Sequence, residues 1–148
     1  MNSHRVRAMR RLVFTMVAAG LATAAPAQAQ TCTVDAGAML ARLADLEKGY
    51  GTVLSDIGCE APTLASHRLF CESAEAADDT LWKMARLDTL AWVYAYENAT
   101  GQQVDLANPL LDPRFTATRD ACTDVVCLCA VLTDHTNGSL GGTSPYPQ

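Results

Sequence analysis

Basic residues are scarce in most of this sequence. After the first 29 residues, seven Lys and Arg remain against 16 Asp and Glu, so that part of the chain carries a net charge of −9. This surplus of acid argues against binding to nucleic acid or to anionic lipid, because both need a basic protein surface. We therefore expect no nucleic-acid partner, whereas a basic protein partner is compatible with the charge.

The sequence also lacks the patterns of strands, membrane spans and common active sites. No convincing alternation of apolar and polar residues occurs, and no segment after residue 30 is apolar enough to cross a membrane. No G-x-S-x-G, H-E-x-x-H or Gly-rich phosphate loop is present, and neither His67 nor His135 lies in a recognised nucleophile pattern. We predict an all-α protein that is not an enzyme and that has no catalytic residue, cofactor or metal site.

The first 29 residues have the organisation of a bacterial secretory signal peptide. Four arginines between residues 5 and 11 precede an uncharged, mostly apolar run at residues 12–25. Ala27, Gln28 and Ala29 then form an A-x-A cleavage pattern. The alternative is a membrane anchor, but the run is too short to span about 30 Å of hydrocarbon. We predict cleavage after Ala29 and a periplasmic or secreted protein without a membrane anchor.

Six cysteines follow the predicted cleavage site: Cys32, Cys59, Cys71, Cys122, Cys127 and Cys129. An even number in a small exported domain indicates three disulfides. A metal site is the alternative, but Cys127 and Cys129 are spaced C-x-C, and only two histidines remain as further soft ligands. Six cysteines allow 15 pairings. If Cys122 pairs with Cys127, the helix must break between them, because five helical residues rise by about 7.5 Å.

Hydrophobic periodicity and capping residues predict a single domain of four or five helices at residues 30–138. The predicted helices are 35–50 with Asp35 as its cap, a short helix from near Pro62, 72–98, a helix capped by Asp112, and about 124–135. Residues 139–148 are rich in Gly, Ser and Pro, and we expect them to form a flexible tail. The predicted fold is thus a small all-α bundle stapled by disulfides.

The predicted helix 72–98 presents an acidic face. This face consists of Glu72, Glu75, Asp78 and Asp79. Such a face either steers a basic partner onto the protein or is an ordinary solvated helix surface. We take these four residues as the candidate partner-binding site.

Asp88 falls on the opposite, apolar face of the same predicted helix, together with Leu81 and Met84. A buried carboxylate needs a partner. One interpretation is a catalytic acid with a raised pKa. The other, which we favour because a buried charge is normally paired, is a structural ion pair with Arg119 or Arg68.

Two cysteine pairs and an Arg-Asp-x-Cys element, in this order, resemble the LprI-type lysozyme-inhibitor family of small, secreted, Cys-rich helical domains. Eleven residues separate Cys59 from Cys71, and an acidic, Ala-rich stretch follows. Phe115, where the family usually has Trp, then precedes Arg-Asp-Ala-Cys at 119–122 and Cys-Leu at 127–128. The resemblance covers residues 59–132.

The resemblance implies a helical fold with the disulfides Cys59–Cys71 and Cys122–Cys127, and with Cys32–Cys129 as the third pair. It also implies a secreted envelope protein that blocks a basic glycan hydrolase, such as a lysozyme, by covering its surface. The alternative is an immunity, entry-exclusion or secretion-system accessory protein of the periplasm, with a different protein partner.

Overall fold

The computed structural model describes residues 31–148, and the predicted signal peptide lies outside them. Five α-helices and one short 3-10 turn form this part of the chain. They are α1 (Ala36–Tyr50), α2 (Ala65–Glu75), α3 (Thr80–Thr100), α4 (Pro113–Asp120), α5 (Val125–Leu140) and the turn Gly141–Thr143. No strand occurs between residues 31 and 148. The predicted all-α bundle of four or five helices is therefore confirmed.

Capping aspartates begin three helices where the sequence predicts them. The Asp35 side chain accepts a hydrogen bond from the Ala38 N–H at the start of α1. Asp112 accepts from two backbone N–H groups at the start of α4, and Asp124 accepts from the Cys127 N–H at the start of α5. Each bond satisfies a donor that the first helical turn leaves without a partner.

The predicted long helix is wrong, because the chain breaks between α2 and α3. Ala76 has an extended backbone, with φ −80° and ψ 160°. The Asp78 side chain accepts a hydrogen bond from the Thr80 N–H where α3 begins, and the Ser73 hydroxyl accepts one from the Trp82 N–H across the break. The four acidic residues predicted to share one helix face are consequently divided between α2 and the connection to α3.

Helix α3 is the longest helix of the bundle, and it packs against α1, α2 and α5. Its residues Leu87, Leu90 and Val93 are fully buried, as are Phe70 of α2 and Leu128 of α5. Because other helices surround α3 on most sides, its apolar residues are not confined to one face. Charged residues interrupt it, and among residues 31–148 no helix is both long and apolar enough to cross a membrane.

Three disulfides staple the helices, and every cysteine in the described residues belongs to one of them. The pairs are Cys32–Cys129, Cys59–Cys71 and Cys122–Cys127, which are the pairs that the resemblance implies. The first joins the segment before α1 to α5, and the second joins the loop before α2 to α2 itself. The third spans the break between α4 and α5, where the two Cα atoms lie 5.6 Å apart. The break required for this pairing is thus present.

The C-terminal residues do not form the predicted loose tail. Helix α5 continues to Leu140, beyond the end predicted near residue 135. Gly141 then takes a positive φ of 52°, which turns the chain back towards the bundle. Tyr146 is buried, and the Asn137 amide donates to the carbonyl oxygen of Pro147 at 2.8 Å. Burial of the tyrosine ring holds in place a segment whose composition resembles a linker.

Candidate functional site

A groove with an acidic rim lies between α2, the first residues of α3 and α5, and the segment before α1, where Thr31 and Cys32 line it. We call it the acidic groove, and its walls include Leu69, Glu72, Ala76, Asp78, Leu81 and Val125. Its volume is about 200 Å³, and most of its lining is apolar. Glu72 and Asp78 are lining residues that are exposed to solvent, so we assign them to its rim. An apolar cleft bordered by fixed charges is a usual form of binding site.

The four acidic residues of the predicted face differ in their partners. Glu72, Glu75 and Asp78 are exposed, and within residues 31–148 none of them forms an ion pair. Asp79 instead pairs at 2.8 Å with a lysine one turn along α3, beside a different cleft. Hydrogen bonds from Thr80 lower the pKa of Asp78, so this carboxylate is charged at neutral pH. The acidic surface open to a partner therefore has three members.

Most basic side chains are held by groups of the protein itself. Six of the seven in residues 31–148 donate to carboxylates or to backbone carbonyls: Arg42, Lys48, Arg68, Lys83, Arg86 and Arg119. Arg68, one of the two predicted partners of Asp88, donates to the carbonyl oxygen of Thr63 at 2.7 Å. Seven basic residues against 16 acidic ones leave residues 31–148 with a net charge of −9, so the surface is strongly negative.

Arg119 is buried, but its partner is Asp56 and not Asp88. The guanidinium donates two hydrogen bonds to the two oxygens of Asp56, of 2.9 and 2.7 Å, and lies 2.8 Å from Asp120. His67 is 3.3 Å from Asp120. Burial would raise the pKa of Asp56, but the hydrogen bonds and charge of Arg119 outweigh burial and lower this pKa. The network fastens α4 to α2 and to the loop between α1 and α2.

Asp88 is buried on α3 as predicted, but its partners lie on α5. The carboxylate is 2.9 Å from His135 Nδ1, and it accepts a hydrogen bond of 2.9 Å from the Thr136 hydroxyl. The predicted pairing with Arg119 or Arg68 is therefore wrong, because α5 packs directly on the α3 face that carries Asp88. Burial raises the pKa of Asp88, and hydrogen bonding and charge from His135 oppose part of this rise.

His135 links this carboxylate to the start of α4. Its Nε2 lies 3.6 Å from Asp112 Oδ2, and its ring stacks on Phe115 with centroids 3.9 Å apart. An imidazole oriented by a buried aspartate is a geometry that general bases use. Here Nε2 is itself buried, and the adjoining cavity of about 20 Å³ has room for about one water molecule. The cluster holds α3, α4 and α5 together, and a second, open cleft of about 330 Å³ also borders His135, Asp112 and Phe115.

Sequence reasoning missed Asp56 and the second contact of Asp112. Asp56 lies 63 positions before its partner Arg119, and no local spacing rule connects the two. Asp112 is recognisable as a helix cap, but its approach to His135 depends on how α4 and α5 pack. The one available signal was the lone His135 on the last helix, since a buried aspartate elsewhere needs a donor.

No arrangement in the described part of the chain identifies a cofactor or a family. Residues 31–148 contain no group of three or more His, Cys, Asp and Glu side chains placed to hold a metal ion. No protein-family model matches the sequence, no curated protein matches it, and no solved structure matches the chain. Function is therefore argued from the acidic groove and from the charge of the surface.

Proposed function

We propose that this chain is an exported envelope protein that inhibits a basic glycan hydrolase, such as a lysozyme, by covering its surface. The observation that carries the proposal is the distribution of charge. Glu72, Glu75 and Asp78 are exposed without an ion-pair partner in residues 31–148, while most basic side chains there are engaged by the protein itself. This distribution complements a basic partner and agrees with the resemblance to LprI-type inhibitors.

Export fits the chemistry of the cysteines and of the charge. A signal peptide directs the chain to an oxidising compartment, where disulfides form and persist. Cleavage after Ala29 would remove four arginines and no acid, which changes the net charge from −5 to −9. Maturation would thus strengthen the attraction to a basic partner.

A rigid scaffold suits inhibition by occlusion. The disulfide Cys59–Cys71 ends on the residue that precedes Glu72, and the break after α2 is fixed by hydrogen bonds to Asp78 and Ser73. A surface that is already ordered loses little conformational entropy when it binds. The acidic groove can therefore meet a partner without first rearranging.

The test is the rate at which a c-type lysozyme lyses cell walls in the presence of the oxidised protein secreted from a bacterial host. We expect inhibition that saturates with the added protein and weakens as salt rises, because salt screens the attraction between exposed charges. The double variant Glu72→Gln, Glu75→Gln should need several-fold more protein for the same inhibition, since it removes charge at the contact.

The matched control is the double variant Asp105→Asn, Asp134→Asn, which changes the net charge by the same amount. Both aspartates are exposed, and Asp105 follows the far end of α3, whose 21 residues span about 30 Å. We expect the control to inhibit like the unaltered protein. Equal weakening by both double variants would indicate attraction by net charge alone. No inhibition at equimolar protein in low salt would contradict the proposed function.

A further inference from the structure

We propose that the acidic groove receives one lysine or arginine side chain of the partner, with the methylene stem on the apolar floor and the cationic head between Glu72 and Asp78. The inference rests on the proposed function and specifies the contact by which the partner is held. It is carried by the shape, the lining and the rim of the groove.

The floor of the groove is suited to an aliphatic stem. Leu69, Leu81 and Val125 line it, and Ala76 forms part of its wall without filling it. A volume of about 200 Å³ corresponds to about seven water molecules at about 30 Å³ each, which is the scale of one long side chain. Replacing this water by methylene groups removes apolar surface from solvent and is therefore favourable.

The rim of the groove is suited to a cationic head. Glu72 and Asp78 both border it, are exposed, and form no ion pair within residues 31–148. Glu75 lies three residues along α2 from Glu72, so it stands on the same side of that helix. Long basic side chains commonly bury the stem and leave the charged end in water. The groove thus provides apolar contacts for the methylene stem and carboxylates for the charged end.

Two basic side chains close to the groove in sequence are bound elsewhere. Arg68, one turn before Glu72 on α2, donates to the carbonyl oxygen of Thr63. Lys83 on α3 is bound to Asp79 at 2.8 Å, and both lie beside the cleft between α1 and α3. The Asp78 carboxylate is also held in position, because it accepts from the Thr80 N–H, and the disulfide at Cys71 fixes the backbone next to Glu72. The site is therefore ordered in advance for a cation from outside.

A substitution that fills the groove without changing any charge tests the role of the groove separately from the role of net charge. Ala76 and Ala77 are adjacent and exposed, and only Ala76 lines the groove. Ala76→Phe adds a bulky ring at a residue that lines the groove, and the extended backbone at this position accepts any side chain. Ala77→Phe is the matched control. Circular dichroism and thermal unfolding of both variants verify the fold.

We expect Ala76→Phe to weaken lysozyme binding at least tenfold in Kd, measured by isothermal titration calorimetry, and Ala77→Phe to change it less than twofold. If the unaltered protein binds lysozyme and Ala76→Phe binds equally well, the groove is not the contact and the inference is overturned, while the proposed function remains.

A second measurement does not depend on lysozyme. The labelled protein is titrated with the blocked peptide Ala-Lys-Ala and followed by nitrogen–proton correlation NMR, with norleucine in place of lysine as the neutral control. We expect shifts at Leu69, Leu81 and Val125 with the lysine peptide, weak shifts with norleucine, and none in Ala76→Phe.

These outcomes separate the two proposals. Shifts confined to the groove in a protein that ignores lysozyme would support the groove and contradict the proposed function. Shifts absent from the groove would overturn the inference, as would nuclear Overhauser contacts showing that residues before Thr31 already occupy it.

Discussion

At Asp88 the penalty for burying a carboxylate is offset by two groups of α5, His135 and Thr136. The buried charge of Arg119 also needs a partner, and its guanidinium donates to both oxygens of Asp56. Removing one member of such a pair leaves the other buried without a partner, and this costs far more stability than the intact pair contributes. Single substitutions at these positions should therefore have large effects.

Asp88→Ala should lower the free energy of unfolding by about 3 kcal/mol, because it strands the donors of His135 and Thr136 in the core. Urea unfolding followed by circular dichroism measures this change. The control is Asp134→Ala, next to His135 but exposed, which should change stability by less than about 0.5 kcal/mol. Equal losses in the two variants would contradict a structural role for the Asp88 cluster.

Asp56 should contribute to stability in a pH-dependent way. Its pKa is lowered in the folded protein, so its contribution is present above the unfolded value of about 3.9 and is lost as pH falls through the lower folded value. The unaltered protein should therefore have a larger free energy of unfolding than Asp56→Asn at about pH 6. This difference should become smaller when the pH is lowered to about 3. A difference that is constant or grows on acidification would show that Arg119 does not hold this carboxylate in its charged form.

Burial could be predicted for Asp88 from its helix face, but its partner could not. The position of Asp88 relative to Leu81 and Met84 follows from a period of 3.6 residues, which the sequence displays directly. The partner His135 lies 47 positions away and reaches Asp88 only because α5 packs on α3. Pairing across such distances depends on tertiary packing, which local patterns do not contain.

Helix α4 depends on polar contacts more than the other helices do. It has eight residues, and its buried residue is Arg119 and not an apolar side chain. Asp112 begins the helix, Arg119 anchors it to Asp56, and the Cys122–Cys127 disulfide fixes the chain just beyond it. A short helix with little apolar burial is marginal without such contacts.

Loss of the α4 cap should therefore be measurable. Asp112→Ala removes the acceptor for two backbone N–H groups and should cost about 1 kcal/mol of unfolding free energy. Asp112→Asn keeps a capping acceptor and should recover most of that loss. Thermal unfolding of the two variants measures the difference. If both variants are equally destabilised, the contact with His135, and not the cap, accounts for the effect.

Helix starts could be predicted at Asp35, Asp112 and Asp124, whereas the break between α2 and α3 was missed. Caps are local, because the capping side chain bonds N–H groups two or three residues away. Across the break, Ala76 and Ala77 fit either a helix or a loop, and the apolar period continues on both sides. The signal was present in Asp78 and Asp79 before Thr80, a typical helix start.

Across the whole molecule, the disulfides close loops of very different length. Cys32–Cys129 closes a separation of 97 residues, and Cys122–Cys127 a separation of five. By the loop-entropy relation, these contribute at most about 5 and about 2 kcal/mol respectively. Replacing Cys32 and Cys129 by Ala should therefore destabilise the protein more than replacing Cys122 and Cys127. Urea unfolding tests this order, and the reverse order would show that native contacts outweigh loop entropy.

We propose that the exposed acidic surface around Glu72, Glu75 and Asp78, which has no ion-pair partner within residues 31–148, binds a basic partner. The most direct measurement is a calorimetric titration of the secreted, oxidised protein with a c-type lysozyme at about 0.01 M and about 0.15 M ionic strength, where the Debye lengths are about 30 and about 8 Å. We predict saturable binding that weakens at the higher ionic strength and weakens further in Glu72→Gln, Glu75→Gln. Absence of binding at both ionic strengths, or binding that is indifferent to salt and to these substitutions, would contradict the claim.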